Sequence, residues 1–326
     1  MRSIFLVWLL VGCIDQPNPV RGPGQTQIAI RLSEMGLYVG QLSDLTPAPG
    51  IVPYDVNVSL YSDLAEKQRF VWLPPGTSFG ATDDRWDVPD GTYFIKNFFY
   101  PLDARDPTAG RRLVETRLLI TRGSGLDAST YIWNNDQTDA LVSGGNEDVR
   151  VQWIDETGAS RDDKFHVPGT SLCSSCHSDR PLGWRTRQQP SPHVLVESGL
   201  LDHDPPAGIT LSDPYGTASL DVRARSYLDA NCSHCHGAGG EAEGTGVLFD
   251  FEHTDMASLP LCRSTEPVGG NKRVIVPGRP EQSGMISRLL SDDPFIRMPR
   301  GPSRIPDPKG VPLLREWIEA MPGGCP

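Results

Sequence analysis

Two short cysteine-histidine motifs constrain this chain more than any other feature of its sequence. The segment "CSSCH" occupies residues 173–177, and "CSHCH" occupies residues 232–236. Each motif places two thiols three positions apart, with an imidazole directly after the second thiol. Residues three and four apart are neighbours on a helical turn, so the three side chains of each motif can reach one common group.

Covalent attachment of haem is the chemistry that uses all three side chains. The two thiols add across the vinyl groups of the haem, and the imidazole reaches its iron. We therefore predict two covalently bound haem c groups. The predicted haem-binding residues are Cys173, Cys176, His177, Cys232, Cys235 and His236, of which the two histidines are the iron ligands.

Zinc binding and thiol redox chemistry are the alternatives. A zinc ribbon separates its two cysteine pairs by about 15 to 20 residues, whereas the whole stretch 177–231 lies between these two pairs. A thioredoxin-like pair is expected beside a βαβ unit, and it leaves the following histidine unexplained.

The second axial ligand of each iron is less evident. Met298, in "RMPRG", lies in a loop before the last predicted helix, and we predict that its thioether is the sixth ligand of the second haem. The alternative is a loop methionine that fills a gap in the core. For the first haem no ligand is assigned, and the candidates are His166, His193, His203 and His234.

The first residues predict export. The apolar run 4–11 follows Arg2 and is too short to cross a bilayer, which needs about 20 residues, so residues 1–12 are interpreted as a signal peptide. "LVGC" (10–13) resembles the lipobox of bacterial lipoproteins, which predicts lipidation of Cys13 and a tether over 13–34. The protein would then lie in the cell envelope or periplasm, anchored by its lipid to a bacterial membrane. Of the two membranes, the outer one is favoured. An ordinary signal with a chance cysteine is the alternative.

Two cysteines remain. The chain has seven cysteines, and five of them belong to the lipobox and the two motifs. An isolated pair in an oxidising compartment is expected to form a disulfide, which predicts a bond between Cys262 and Cys325. The alternative is two free buried thiols.

The fold is predicted to have several domains. Residues 35–168 contain short apolar or alternating runs separated by turn residues, which favours an antiparallel β-sandwich. Residues 169–216 would carry the first haem motif. A helical stripe at 220–228, with further helical patterns at 281–293 and 310–321, predicts that 217–326 form a mainly α, cytochrome c-like haem domain.

The chain's charge bears on its partners. The formal charge is -11, and the basic residues are scattered, so nucleic acid is a poor candidate. An acidic surface suits weak, salt-sensitive docking to a basic partner protein.

Several segments together resemble a known family. They are "LCSSCHSDRPLGWRTRQ", "RARSYLDANCSHCH", "VIVPGRPEQSGMISRLL", "RMPRG" and "LLREWIEAM". In this order they resemble a family of bacterial exported di-haem c-type cytochromes, lipoproteins with an N-terminal β domain whose role is largely unassigned. The resemblance covers about residues 35–322. It implies covalent haem at both motifs and Met298 as a distal ligand, and it implies no substrate.

These observations predict an exported, lipid-anchored di-haem cytochrome that carries electrons between periplasmic redox partners, rather than an enzyme with its own substrate. No catalytic residue is assigned. One alternative is a di-haem peroxidase or oxidase. Another is a glycan- or protein-binding β domain with accessory haem, whose aromatic platform would consist of Trp72, Trp86, Trp133 and Trp153.

Overall fold

The structure is a computed structural model. It describes residues 24, 27–82, 84–123, 125–169, 172, 173, 177, 181–254, 259–268, 270–301 and 303–325. Within these ranges the main element is an antiparallel β-sheet, and the helices are few and short.

Six strands form the large sheet. They are β1 (Ile51–Tyr54), β2 (Glu66–Trp72), β3 (Tyr93–Pro101), β4 (Arg111–Arg122), β5 (Gly125–Trp133) and β6 (Ala140–Ser143). Their order in the sheet is their order in the chain, and every neighbouring pair is antiparallel. The sheet is therefore a meander of successive hairpins.

Alternation along the strands buries both faces of this sheet. Phe70 and Ile95 belong to one core, which the N-terminal segment covers with Leu32 and other apolar side chains. The adjacent residues Val71 and Phe94 point the other way, into a second core. Successive side chains of a strand alternate between faces, so a strand buried on both sides has to be apolar at consecutive positions, as these strands are.

A separate hairpin packs against one end of the sheet. Strands β7 (Glu147–Ile154) and β8 (Ser160–Val167) form a two-stranded antiparallel sheet, and Ile154 also bridges to Asp103 after β3. Val151 and Phe165 from the hairpin join Phe98 of the sheet in a third core. The N-terminal half is thus antiparallel β, but it consists of one large sheet and a hairpin rather than the predicted sandwich of two packed sheets.

The prediction of a mainly α, cytochrome c-like domain was wrong. The part of the chain that the structure describes is mainly β. Its α-helices are α1 (Pro192–Glu197), α2 (Leu220–Cys232), α3 (Gly284–Leu289) and α4 (Gly310–Ala320), and a small hairpin is formed by β9 (Ser264–Val268) and β10 (Asn271–Arg273). Glycine and proline recur throughout 233–283, and both oppose helix formation, which explains why little helix forms after α2.

Helices α2 and α4 pack against each other in a fourth core. Tyr227 and Leu228 of α2 join Trp317 and other apolar residues of α4 there. Gly310 is the first residue of α4, and a Cβ at this position would clash with the phenol of Tyr227. Glycine therefore permits the close approach of the two helices.

Buried polar contacts join the β-sheet region to the C-terminal region. The fully buried carboxylate of Asp63 accepts hydrogen bonds from Ser303 Oγ (2.6 Å), Arg304 N (2.8 Å) and Ile305 N (2.9 Å). The backbone N–H of Tyr61 donates to Oδ1 of Asn231 on α2 (2.7 Å). These bonds fix the end of α2, and with it the second motif, relative to the sheet.

Candidate functional site

The second motif lies on the turn that ends α2. The helix begins after Ser219, whose hydroxyl accepts from Val222 N (3.3 Å), and it ends at Cys232. The carbonyl of Cys232 then accepts hydrogen bonds from Cys235 N (3.2 Å) and His236 N (2.8 Å). This turn holds the two thiols and the imidazole together.

His236 has a defined tautomer. Its Nδ1 lies 3.0 Å from the carbonyl oxygen of Val247, which can only accept, so Nδ1 carries the proton and donates it. Burial lowers the pKa of His236, which keeps the ring neutral near pH 7. The ring packs at a tilt against Phe249, with 5.4 Å between centroids. The Nε2 lone pair of this neutral imidazole can therefore accept a proton or act as a ligand.

The two cysteines of this motif are half-buried thiols. Burial raises the pKa of Cys232 to about 12, and the neighbouring Cys235 adds to the effect. The Cys232 side chain packs against the core formed by α2 and α4. Cys232 is therefore protonated at neutral pH and is a poor nucleophile without a base.

Met298 lies in a half-buried loop near this motif. Its backbone N–H donates to the carbonyl of Arg288 (3.1 Å). The charge of Arg288 is in turn one of the influences that lower the pKa of His236. Arg288 thus connects the Met298 loop to the surroundings of His236, and the ligand role of Met298 stays a prediction from the sequence.

The first motif is described only in part. Cys173 is half-buried, and burial raises the pKa of its thiol. His177 is buried and lines a cavity of about 330 Å³, which His234 also lines. Cys176 lies outside the described residues. The structure therefore brings together one histidine from each motif, and His234 is one of the four candidates that the sequence offered for the first motif.

The prediction of two covalent haems was wrong. In the ranges given above, no group of three or more histidine, cysteine, aspartate or glutamate side chains is arranged to hold a metal ion. The helical domain expected to enclose the second haem is largely replaced by loops and short strands. Cys232 packs against the protein's own core, where the prediction required a porphyrin.

The other candidate histidines have different surroundings. Nδ1 of the buried His166 is 2.8 Å from Asp148 Oδ1. His193 is exposed on α1, and the exposed His203 contacts Asp202. These three were candidates for the first motif, and none of them lines the cavity that His177 shares with His234, so they stay unassigned.

The tryptophans of the expected platform mostly belong to the cores. Trp86 and Trp133 are 3% and 2% exposed, and Trp72 and Trp153 are half-buried. Trp86 and Trp133 therefore contribute mainly to packing, whereas Trp72 and Trp153 pack against the cores and keep part of their surface exposed.

Cys262 and Cys325 are joined by a disulfide, which is the pair expected from the sequence. It ties the C-terminus to the loop that precedes β9. Cys13 and the signal peptide lie outside the described residues. Among the residues that are described, no helix is both long and apolar enough to cross a membrane.

Sequence reasoning missed an ionic cluster beside the second motif. Arg187 Nε lies 2.8 Å from Asp84 Oδ1, and its Nη1 is 2.9 Å from Asp229 on α2 and 2.8 Å from Glu252. These four residues are far apart in the chain, and none belongs to a motif. Their positions carried no signal that could have predicted the cluster.

The chain was also compared with known proteins. No protein-family model, curated protein or solved structure matches it. The resemblance to di-haem cytochromes therefore stays a prediction from the sequence.

Proposed function

We propose that the protein is an exported two-electron carrier, and that its redox group is the thiol pair of Cys232 and Cys235. The observation that carries the proposal is the turn at the end of α2, whose backbone hydrogen bonds hold both cysteines and His236 on one turn, with Nδ1 of the neutral imidazole bound to Val247. The proposal keeps the electron-carrying role that the sequence predicts and requires no haem.

The backbone of the turn is compatible with a disulfide. The Cys235 N–H donates to the carbonyl of Cys232 (3.2 Å), and a turn of this kind keeps its end Cα atoms within about 7 Å. Disulfides span Cα separations of about 4.4 to 6.8 Å. Oxidation of the pair therefore calls for little movement of the backbone.

His236 acts as the base. Nε2 takes the proton from the Cys235 thiol, and the thiolate attacks a disulfide of the partner protein. One bond forms between the two proteins, and the partner's first sulfur leaves and takes a proton. Cys232 then loses its proton and attacks Cys235, which closes the intramolecular disulfide and releases the partner's second thiol. Two electrons and two protons pass to the partner.

The environment of Cys232 sets the direction of transfer. A thiol–disulfide protein is a strong oxidant when its reduced form is stabilised as a thiolate. Burial raises the pKa of Cys232 to about 12 and so removes this stabilisation. An environment that disfavours the Cys232 thiolate is therefore consistent with a protein that acts as a reductant toward its partners.

The remaining sequence features agree with this role. The N-terminal segment predicts export and lipid attachment at Cys13, and disulfide exchange is a chemistry of exported proteins. The net charge of -11 suits a basic partner protein held by a weak, salt-sensitive interface.

Thiol trapping with intact-mass measurement tests the proposal on the full exported chain. The background is Cys173→Ser/Cys176→Ser, which leaves one CxxC pair. After equilibration in glutathione buffers of graded potential, we expect a loss of two alkylatable thiols and of two hydrogens in mass. Cys232→Ser and Cys235→Ser each abolish the transition.

A second variant tests the base. In His236→Asn the side-chain amide can still donate to the Val247 carbonyl but cannot accept a proton. We expect the exchange rate to fall by a factor of about 100, the lower end for a lost general base, while the midpoint potential is retained. The proposal is overturned if the oxidation state of the Cys232/Cys235 pair does not change with the potential of the buffer. It is also overturned if the intact mass shows a prosthetic group attached to Cys232 or Cys235.

A further inference from the structure

The loop that carries Met298 exposes apolar side chains to solvent. This Met298 loop comprises residues 290–301, between α3 and α4. Phe295 is 84% exposed, which makes it the most exposed of the large apolar side chains that the structure describes. Leu290, at the start of the loop, is 43% exposed.

Leu172 adds a third exposed apolar side chain to this surface. It is 41% exposed, and its Cδ1 lies 3.1 Å from the place that a Cβ at Gly301 would occupy. Glycine at the end of the loop therefore leaves room for Leu172. Single exposed apolar side chains need no explanation, but a group of them marks an interaction site.

Hydrogen bonds within the loop fix the position of Phe295. The carbonyl of Asp293 accepts from Ile296 N (3.0 Å) and Arg297 N (2.8 Å). The carboxylate of Asp293 accepts from Phe295 N (2.9 Å), and Arg297 Nε donates to the carbonyl of Ser291 (2.6 Å). The phenyl ring is thus presented on an ordered turn, and an ordered contact surface loses less entropy when a partner binds.

The charges exposed beside Phe295 are negative. The side chain of Asp292 is fully exposed, and Asp293 is exposed as well. Arg297 reaches Asp292 at 3.1 Å, but its side chain is only 13% exposed and it also donates to backbone carbonyls. Arg300 is exposed at the other end of the loop. Carboxylates next to an exposed phenyl ring select a partner that combines basic and apolar groups.

The loop is connected to both cysteine motifs. Leu172, which contacts the loop at Gly301, directly precedes Cys173 in the chain. At the other motif, Arg288 Nη1 donates to the carbonyl of Ile296 (3.1 Å), and Arg288 is close enough to His236 for its charge to lower the pKa of that imidazole. A protein bound to the loop is therefore brought near the second motif.

We propose that the Met298 loop is the docking surface for the redox partner, and that this partner presents basic and apolar side chains beside its disulfide. Phe295 and Leu290 contact the apolar side chains, while Asp292 and Asp293 pair with the basic ones. A second copy of this chain is disfavoured as the occupant, because it also carries -11. The inference rests on the thiol exchange proposed above and specifies the chemistry of its partner.

Reduction of synthetic disulfide peptides tests this surface. The full exported chain, in the Cys173→Ser/Cys176→Ser background, is reduced and then freed of reductant. Two peptides each contain one internal disulfide flanked by leucines, and they differ in having lysine or glutamate at the outer positions. We expect the second-order rate constant to be about tenfold larger for the lysine peptide and to fall as salt is added. Glutathione disulfide, which has neither lysine nor a large apolar side chain, is the reference substrate.

Variants locate the docking surface. In Phe295→Ser we expect the rate constant for the lysine peptide to fall about tenfold, the lower end for burial of a phenylalanine side chain, and that for glutathione disulfide to be unchanged. Asp292→Asn/Asp293→Asn should lower the lysine-peptide rate constant about threefold, within the range for exposed ion pairs, and should weaken its salt dependence. Ile30→Ser, which alters another exposed apolar residue, is the matched control and should leave both rate constants unchanged. Circular dichroism establishes that each variant is folded.

The two proposals fail in different ways. If the parent does not reduce glutathione disulfide, the thiol exchange itself is refuted and the docking surface falls with it. If glutathione disulfide is reduced but Phe295→Ser and the parent reduce the lysine peptide at the same rate, the docking surface is overturned and the exchange stands. A dimer in sedimentation experiments that Phe295→Ser converts to monomer would assign the loop to self-association and would also overturn the inference.

Discussion

Nη1 of Arg187 lies 2.9 Å from Oδ2 of Asp229, and the two side chains are only 5% and 1% exposed. The pair joins the short 3-10 helix Thr186–Gln188 to α2, the helix that ends at the second motif. Removing one partner of a buried ion pair leaves an uncompensated charge, so the pair has clear consequences for stability.

We expect Arg187→Met to lower the free energy of unfolding by about 3 to 5 kcal/mol, because Asp229 would stay buried with its charge poorly compensated. Urea denaturation measures the loss. Arg150→Met is the control, since Arg150 and Asp162 form an exposed pair, and its effect on the free energy of unfolding should be much smaller. Equal losses of unfolding free energy in the two variants would show that burial does not increase the contribution of the Arg187–Asp229 pair to stability.

The carboxylate of Asp63 gives a second prediction. Asp63→Ala leaves the hydroxyl of Ser303 and the backbone N–H groups of Arg304 and Ile305 without their acceptor. Each buried group left without a hydrogen-bond partner costs about 1 to 3 kcal/mol, so we expect Asp63→Ala to lower the free energy of unfolding by several kcal/mol. Asp63→Asn keeps an acceptor oxygen and tolerates the backbone angle φ of 47° at this position, so it should lose much less. Similar losses in chemical denaturation would contradict this account of the site.

The disulfide gives a third prediction. Cys262 and Cys325 are 63 residues apart in sequence. Closing a loop of this length restricts the unfolded chain enough to contribute about 4 kcal/mol. In a background with Cys173, Cys176, Cys232 and Cys235 replaced by serine, Cys325→Ser should therefore lower the thermal midpoint of the oxidised protein, measured by calorimetry, and should also remove the effect of added reductant on that midpoint. A midpoint that still responds to reductant in this variant would point to a different bond.

Acid should weaken the ionic cluster around Arg187. The hydrogen bond from Arg187 lowers the pKa of Glu252 from its ordinary 4.5 to about 2. A carboxylate with a depressed pKa contributes stability that is present above about pH 4.5 and is lost as the pH falls toward 2. Glu252 is 46% exposed, so solvent screening reduces the effect. Urea midpoints across this range should fall less steeply in Glu252→Gln than in the parent, while exposed Glu319→Gln on α4 should follow the parent.

Much of the β-sheet could be predicted from the sequence. The short apolar runs predicted within residues 35–168 include the segments that form β3 and β4, because consecutive apolar residues and flanking turn residues give a strong signal. Strand β8 carries a weaker signal because "SRDDKFHV" begins with five polar residues, and it is a strand through its pairing with β7. The stripe that predicts α2 was also correct, since Tyr227 and Leu228 face α4.

The candidate site was predicted only at the local level. The spacing in "CSHCH" correctly implies that two thiols and an imidazole share one turn. It could not reveal that Cys232 packs onto the core or that Val247 fixes the tautomer of His236. These relations depend on segments distant in the chain, and the motif carries no information about them.

The order of the strands has a consequence for how the protein acquires its structure. Each of the six strands pairs only with its neighbours in the chain, so the sheet has a low contact order and can grow hairpin by hairpin as the chain emerges. The contact between Asp63 and Ser303 spans 240 residues and has to wait for the last part of the chain. The sheet can therefore be in place before the second motif reaches its position, and it serves as the template on which the turn after α2 is assembled.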